Sequence, residues 1–144
     1  MTVRRFAAAS LLAATALVAA TPATAQRVTR IVAFGDSYAD TGNLFRIGGI
    51  NPISTVVYTT GRFSGGTNYI DTLSTLLNAP QVNFAIGGAT TGTTNVAAPF
   101  PLGYTSEVGS FLAGGGTLFP AGAKTFGPND LLALSVGGDR KSVV

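Results

Sequence analysis

The stretch that most constrains this chain is Ile31–Asn43, reading IVAFGDSYADTGN. Ile31 to Phe34 is a short apolar run that begins with a β-branched residue. Gly35-Asp36-Ser37 breaks it, and a mixed segment follows. That order predicts a buried strand, a tight turn and then the start of a helix. Ser37 falls at the turn, just beyond the carboxyl end of the strand, where ligands gather in open α/β sheets. A small hydroxyl there has two readings. As an N-cap, its oxygen accepts a backbone N–H from the next turn, which is the commoner arrangement. As a nucleophile, it would use the positive end of the helix beside a developing oxyanion.

FGDSYADTGN resembles the first block of the GDSL (SGNH) family of esterases and lipases. The resemblance implies that Ser37 is the nucleophile, and it continues through Asp40, Gly42 and Asn43. The block differs from the Gly-x-Ser-x-Gly elbow of α/β-hydrolases, since one glycine precedes the serine and Tyr38-Ala39 follow it.

Composition narrows the chemistry. The 144 residues suffice for one small domain, and with 46% hydrophobic and 10% charged residues charge-driven disorder is excluded. Without cysteine there is neither a disulfide nor a thiolate metal site. Histidine is absent as well, so the usual general base of serine hydrolysis is missing from these residues. With Arg4 and Arg5 set aside, seven basic residues face six acidic ones. No basic cluster with interleaved aromatics remains, so a nucleic-acid partner is not expected.

Residues 1–25 read as a secretory signal peptide. Arg4-Arg5 is the charged start, Phe6–Ala20 the apolar stretch and Ala23-Thr24-Ala25 the cleavage site, with Gln26 as the mature N-terminus. The competing reading, a transmembrane helix, is opposed by a short, alanine-rich apolar run. The mature protein is expected to be exported: periplasmic, at the cell surface or secreted. Arg27–Phe34 is the first predicted strand, and Leu44–Thr60 reads as loop, broken by Gly48-Gly49 and Asn51-Pro52. Its apolar residues Ile47, Ile50, Ile53, Val56, Val57 and Tyr58 read mainly as packing.

Gly61–Gly66, GRFSGG, precedes a predicted helix at Asn68–Asn78 that Pro80 ends. The pair is similar to the Gly-Arg-Phe-Ser-Asn-Gly segment of one large GDSL branch, with Gly65 where asparagine is usual. Arg62 is expected to brace loop carbonyls rather than bind substrate. Gln81–Ile86 is the second predicted strand, and the glycine turn after it can present backbone N–H groups to a ligand. NFAIGGAT resembles the family's second block, which implies Gly88 as an oxyanion-hole glycine and Gly87 as the weaker candidate. Ser106–Leu112 is expected as a short helix ended by Gly114-Gly115-Gly116. Asn129-Asp130 caps or starts an element, and Leu131–Val136 reads as a buried strand.

After that strand the family pattern is Gly-x-Asn-Asp, whereas this chain reads Gly137-Gly138-Asp139-Arg140. Asp139 stands at the oxyanion-donor asparagine, and a carboxylate can only accept. Residues 139–144, DRKSVV, match a translated short-read sequencing adapter, so this tail is expected to be non-native; a genuine degenerate C-terminus is the alternative. Taken together, the resemblance implies residues 26–138 as the N-terminal part of an α/β domain. Its fold would be the three-layer, flavodoxin-like SGNH fold with a parallel sheet, truncated after about the third strand. It further implies hydrolysis of carboxylic esters, small-molecule or lipid, with Ser37 attacking and the Ser37 and Gly88 N–H groups holding the oxyanion. The asparagine and the Asp-x-x-His pair would come from sequence not present here, and no metal or organic cofactor is implied. Bacterial members of this branch often carry a C-terminal outer-membrane barrel, which would add a membrane association. The competing reading is an exported binding or passenger module that keeps the fold without the chemistry.

Overall fold

The computed structural model describes residues 26–49, 61–99, 101–116, 118–119, 121–122 and 124–138. The proposed signal peptide, the DRKSVV tail with Asp139, and Ile50, Ile53, Val56, Val57 and Tyr58 lie outside the described residues. Strand β1 (Arg30–Gly35) is buried along nearly its whole length. Its side chains alternate between two cores. Val32 and Phe34 pack with Phe84, Ile86, Leu102, Phe111 and Phe119 on one face, and Ile31 and Ala33 pack with Ile70, Ala79, Ala85 and Ala133 on the other. A strand covered on both faces needs this continuous apolar run, and it belongs in the centre of a parallel sheet.

The sheet order is β2-β1-β3, with β2 (Gln81–Asn83) and β3 (Asp130–Ser135) both parallel to β1. Backbone pairing continues past β2, as Phe84 N–H donates to Ala33 O at 2.8 Å and Ile86 N–H to Gly35 O at 3.0 Å. Among the described residues the helices are α1 (Asn43–Gly48), α2 (Tyr69–Leu77) and α3 (Tyr104–Leu112). Helix α2 contributes Ile70, Leu73 and Leu77 to the Ile31 face, and α3 contributes Phe111, Tyr104 and Val108 to the Phe34 face. The result is a three-layer α/β arrangement with a parallel sheet in the middle, consistent with a flavodoxin-like SGNH fold.

Helix α2 begins where the sequence places it. Asn68 is its N-cap, accepting from Ile70 and Asp71 N–H, and Asp71 returns the favour to Asn68 N–H as a capping box. It ends on Asn78 in the left-handed region rather than on Pro80. Three expectations need correction. Residues 43–48 form helix α1 instead of loop, because an acidic side chain just before it supplies the cap that its own N-terminal glycine cannot. Helix α3 starts two residues earlier than expected. Strand β3 is not a buried strand: Leu132 and Leu134 are 53% and 54% exposed, and only Ala133 is buried. Its register puts Leu132 and Leu134 beside Val32 and Phe34. Among the described residues β3 is an edge strand, and the cover that Val32 and Phe34 enjoy does not reach them.

Candidate active site

Strand β1 ends on Gly35 at φ 149°, where a Cβ atom would lie 2.1 Å from Ser135 O of β3. No side chain fits between the two strands at that point. The chain then makes a single helical turn: Ala39 and Asp40 N–H both donate to Asp36 O, each at 3.0 Å. Ser37 lies in this turn, half-buried. The helix expected after Ser37 does not start here. The turn stops after one repeat, and α1 begins only at Asn43, behind Gly42, which has no capping side chain.

Asp40 explains the break. Its Oδ1 accepts from Gly42 N–H at 2.7 Å and Asn43 N–H at 2.5 Å, and its Oδ2 from Leu44 N–H at 3.1 Å. The carboxylate thereby satisfies the first donors of α1 from outside the helix. The same Oδ2 accepts from Gly87 N–H at 2.8 Å, joining this turn to the one after β2. Burial pushes the Asp40 carboxyl above its ordinary value, against the lowering effect of those four N–H groups. Asp36, fully buried, accepts from Tyr38 N–H at 3.2 Å and from Gly138 N–H at 2.6 Å, which ties the segment after β3 to the same place. Asn43 donates to Asn83 O and Ala85 O, Asn83 donates to Ala39 O, and Asn68 donates to Asp40 O. Asp36, Asp40 and Asn43 of the GDSYADTGN block are therefore buried cross-ties at the carboxyl end of the sheet. Each satisfies backbone groups that would otherwise be costly to bury.

These ties frame a cleft of about 350 Å³, lined by Ser37, Tyr38, Phe63, Ser64, Asn68 and Tyr69. The GRFSGG segment forms one wall. It is anchored by Arg62, whose guanidinium forks onto Asp71 with Nε–Oδ2 at 2.9 Å and Nη2–Oδ1 at 3.0 Å. Arg62 is a brace, and it holds the Asp71 carboxylate of α2. Burial alone would raise Asp71; Arg62, Asn68 N–H and Gln81 outweigh it and hold the carboxyl below its ordinary value. Burial raises the Tyr69 hydroxyl, assisted by the Asp36 charge.

Gly87 and Gly88 form the turn after β2. A Cβ on Gly87 would sit 1.9 Å from the Phe63 ring, so this turn runs directly beneath a wall of the cleft. Gly88 has φ +83°, and a Cβ there would strike Asn95 Oδ1 at 2.4 Å. Asn95 donates to Gly87 O and Leu102 O, and Gly88 O accepts from Val96 N–H. Ser37 lines the cleft, and Gly88 stands behind it in the neighbouring turn rather than among the lining residues.

One residue escaped the sequence reading. Glu107 of α3 is fully buried, and its carboxylate accepts from Gly35 N–H at 2.8 Å and Ile86 N–H at 3.1 Å. Its signal was a lone acidic side chain on a helix whose other inward residues are apolar. Among the described residues no group of His, Cys, Asp or Glu has the proximity to hold a metal ion, and no helix is long and apolar enough to cross a membrane. A half-buried hydroxyl at a strand end, beside a glycine turn and an aromatic-walled cleft, suits attack on a carbonyl carbon. The model of a family described as GDSL-like Lipase/Acylhydrolase matches residues 31–122. No curated protein matches the chain.

Proposed function

The chain belongs to the GDSL-like lipase/acylhydrolase family, and on that premise we propose that it supplies the nucleophile and oxyanion turn of a carboxylic-ester hydrolase. The observation that carries this reading is Ser37, which lines the cleft at the carboxyl end of β1. Its Oγ would attack the ester carbonyl, forming a tetrahedral oxyanion. Backbone N–H groups of Ser37 and Gly88 would hold that oxyanion. Collapse would expel the alcohol and leave an acyl-serine, which water then hydrolyses. The 144 residues contain no histidine, so the base that takes the serine proton has to come from elsewhere. Small-molecule or lipid esters are the substrates proposed.

The second reading, an exported binding module, is favoured by that same absence of histidine. Turnover of short-chain aryl esters separates the two. The 144-residue chain should stay at background, since losing triad members costs a factor of about ten thousand or more. The same chain extended by a C-terminal segment with an Asp-x-x-His pair should hydrolyse them, and Ser37→Ala should abolish that activity. A folded but inert extended chain would leave the binding module. Export is part of the proposal: secreted material should begin at Gln26, and intact Met1 in a membrane fraction would refute it. An outer-membrane association through a barrel further along the full gene product is proposed on the family resemblance alone.

A further inference from the structure

Glu107 sits at the last backbone bond between β1 and the chain that continues β2. The two segments bond through their backbones as far as Gly35, with Phe84 N–H on Ala33 O and Ile86 N–H on Gly35 O. There the glutamate enters from α3, and one carboxylate takes a donor from each segment: Oε2 from Gly35 and Oε1 from Ile86. Gly35 is two residues before Ser37, and Ile86 is two residues before Gly88. A single rigid group thus bridges the bases of the two turns that matter for the proposed chemistry. We infer that Glu107 is a positioning residue for this site, its ionised carboxylate fixing the separation of the Ser37 turn and the Gly88 turn. The inference rests on the ester-hydrolase reading for its purpose, but its geometry stands without it.

Ionisation decides how well the clamp holds. A carboxylate accepts both N–H groups, whereas the acid form has one oxygen committed to its own proton. Ile86 N–H also donates to Gly35 O, so Oε1 is the oxygen that the clamp can release at least cost. Desolvation pushes the Glu107 carboxyl up to about 8. The charged groups facing it are Asp40 and Asp36, both on the connection from β1 to α1, and both raise it further against the two N–H donors. The complete clamp therefore forms as the solution turns alkaline, and below that range one strand end is released.

Glu107 is the sole glutamate of the 144 residues, so glutamate labelled with carbon-13 at its carboxyl gives one titrating signal. The experiment is a pH titration of that signal in the full chain, together with the backbone amides of Gly35, Ser37, Ile86 and Gly88. All five should move through one midpoint near 8. In Glu107→Gln the four amides should stay flat over the same range. A carboxyl that titrates near its ordinary value would overturn the inference. So would Ser37 and Gly88 amides that stay still while Gly35 and Ile86 move, which would reduce Glu107 to a local brace. If the Gln variant does not fold, the wild-type titration alone still decides. None of these readouts depends on turnover: an inert Ser37 leaves the clamp intact, and a flat titration leaves the nucleophile reading untouched.

Discussion

Gly35→Ala tests the geometry at the base of the site. The new methyl carbon would lie 2.1 Å from Ser135 O and 2.9 Å from Ser135 C. An ordinary non-bonded contact is about 3.5 Å, so β1 and β3 would have to part by more than about 1 Å. Overpacking of that kind costs roughly 1–3 kcal/mol. The φ of 149° is one that side-chain-bearing residues rarely adopt, which adds about 1–2 kcal/mol. Parting the strands also weakens the 2.9 Å bond from Asp36 N–H to Ser135 O, worth about 1 kcal/mol. The expected loss is about 4 kcal/mol, most of the stability of a small domain. The chain has no tryptophan, so urea unfolding is followed by far-ultraviolet circular dichroism. With a slope of about 1.5 kcal/mol per molar urea, the midpoint should fall by about 2.5 M. A midpoint within about 0.3 M of the parent would show that β3 does not press on Gly35, and the argument would fail.

Two further outcomes follow from the charged groups. Arg62→Ala should cost about 1 kcal/mol near neutral pH, because the fork onto Asp71 is partly exposed. Asp71 is held below its ordinary value of 3.8, so the Arg62 contribution is complete above 3.8 and lost as pH falls through the depressed value. Urea midpoints of the two proteins should converge in acid; a gap that persists there would refute the pairing. Glu107 has the opposite sign: its folded-state value of about 8 exceeds the ordinary 4.5, so folding takes up a proton between them. Stability should decline as pH rises from 4.5 to 8, by on the order of 5 kcal/mol, and Glu107→Gln should flatten that slope. A wild-type profile that rises over this interval would contradict the burial argument.

The central strand was legible because its signal is local: an unbroken apolar run ended by Gly35 describes a strand covered on both faces. The α2 helix was legible for the same reason, since Tyr69, Ile70, Leu73, Leu76 and Leu77 recur at helical spacing and Pro80 follows. Much of what failed depended on partners distant in sequence. The Asp40 cap of α1 is local, two to four residues from the N–H groups it accepts, but the Gly48-Gly49 and Asn51-Pro52 breakers make the segment from Leu44 read as loop. The leucines of β3 read as buried because apolar alternation does not say whether a strand is central or at an edge. Glu107 was invisible because its two donors lie 72 and 21 residues away. The Ser37 block and the glycine turn were found as motifs, yet their aspartates and asparagines emerged as cross-ties only once the three strand ends were seen together.

Mass spectrometry of the extended chain after treatment with a fluorophosphonate tests the central claim most directly. Trypsin releases residues 31–46 between Arg30 and Arg46, and this peptide contains Ser37 as its one serine. The account predicts a stoichiometric phosphonyl adduct on Ser37, lost in Ser37→Ala together with ester hydrolysis. An active, extended chain whose adduct maps to any other residue would contradict it.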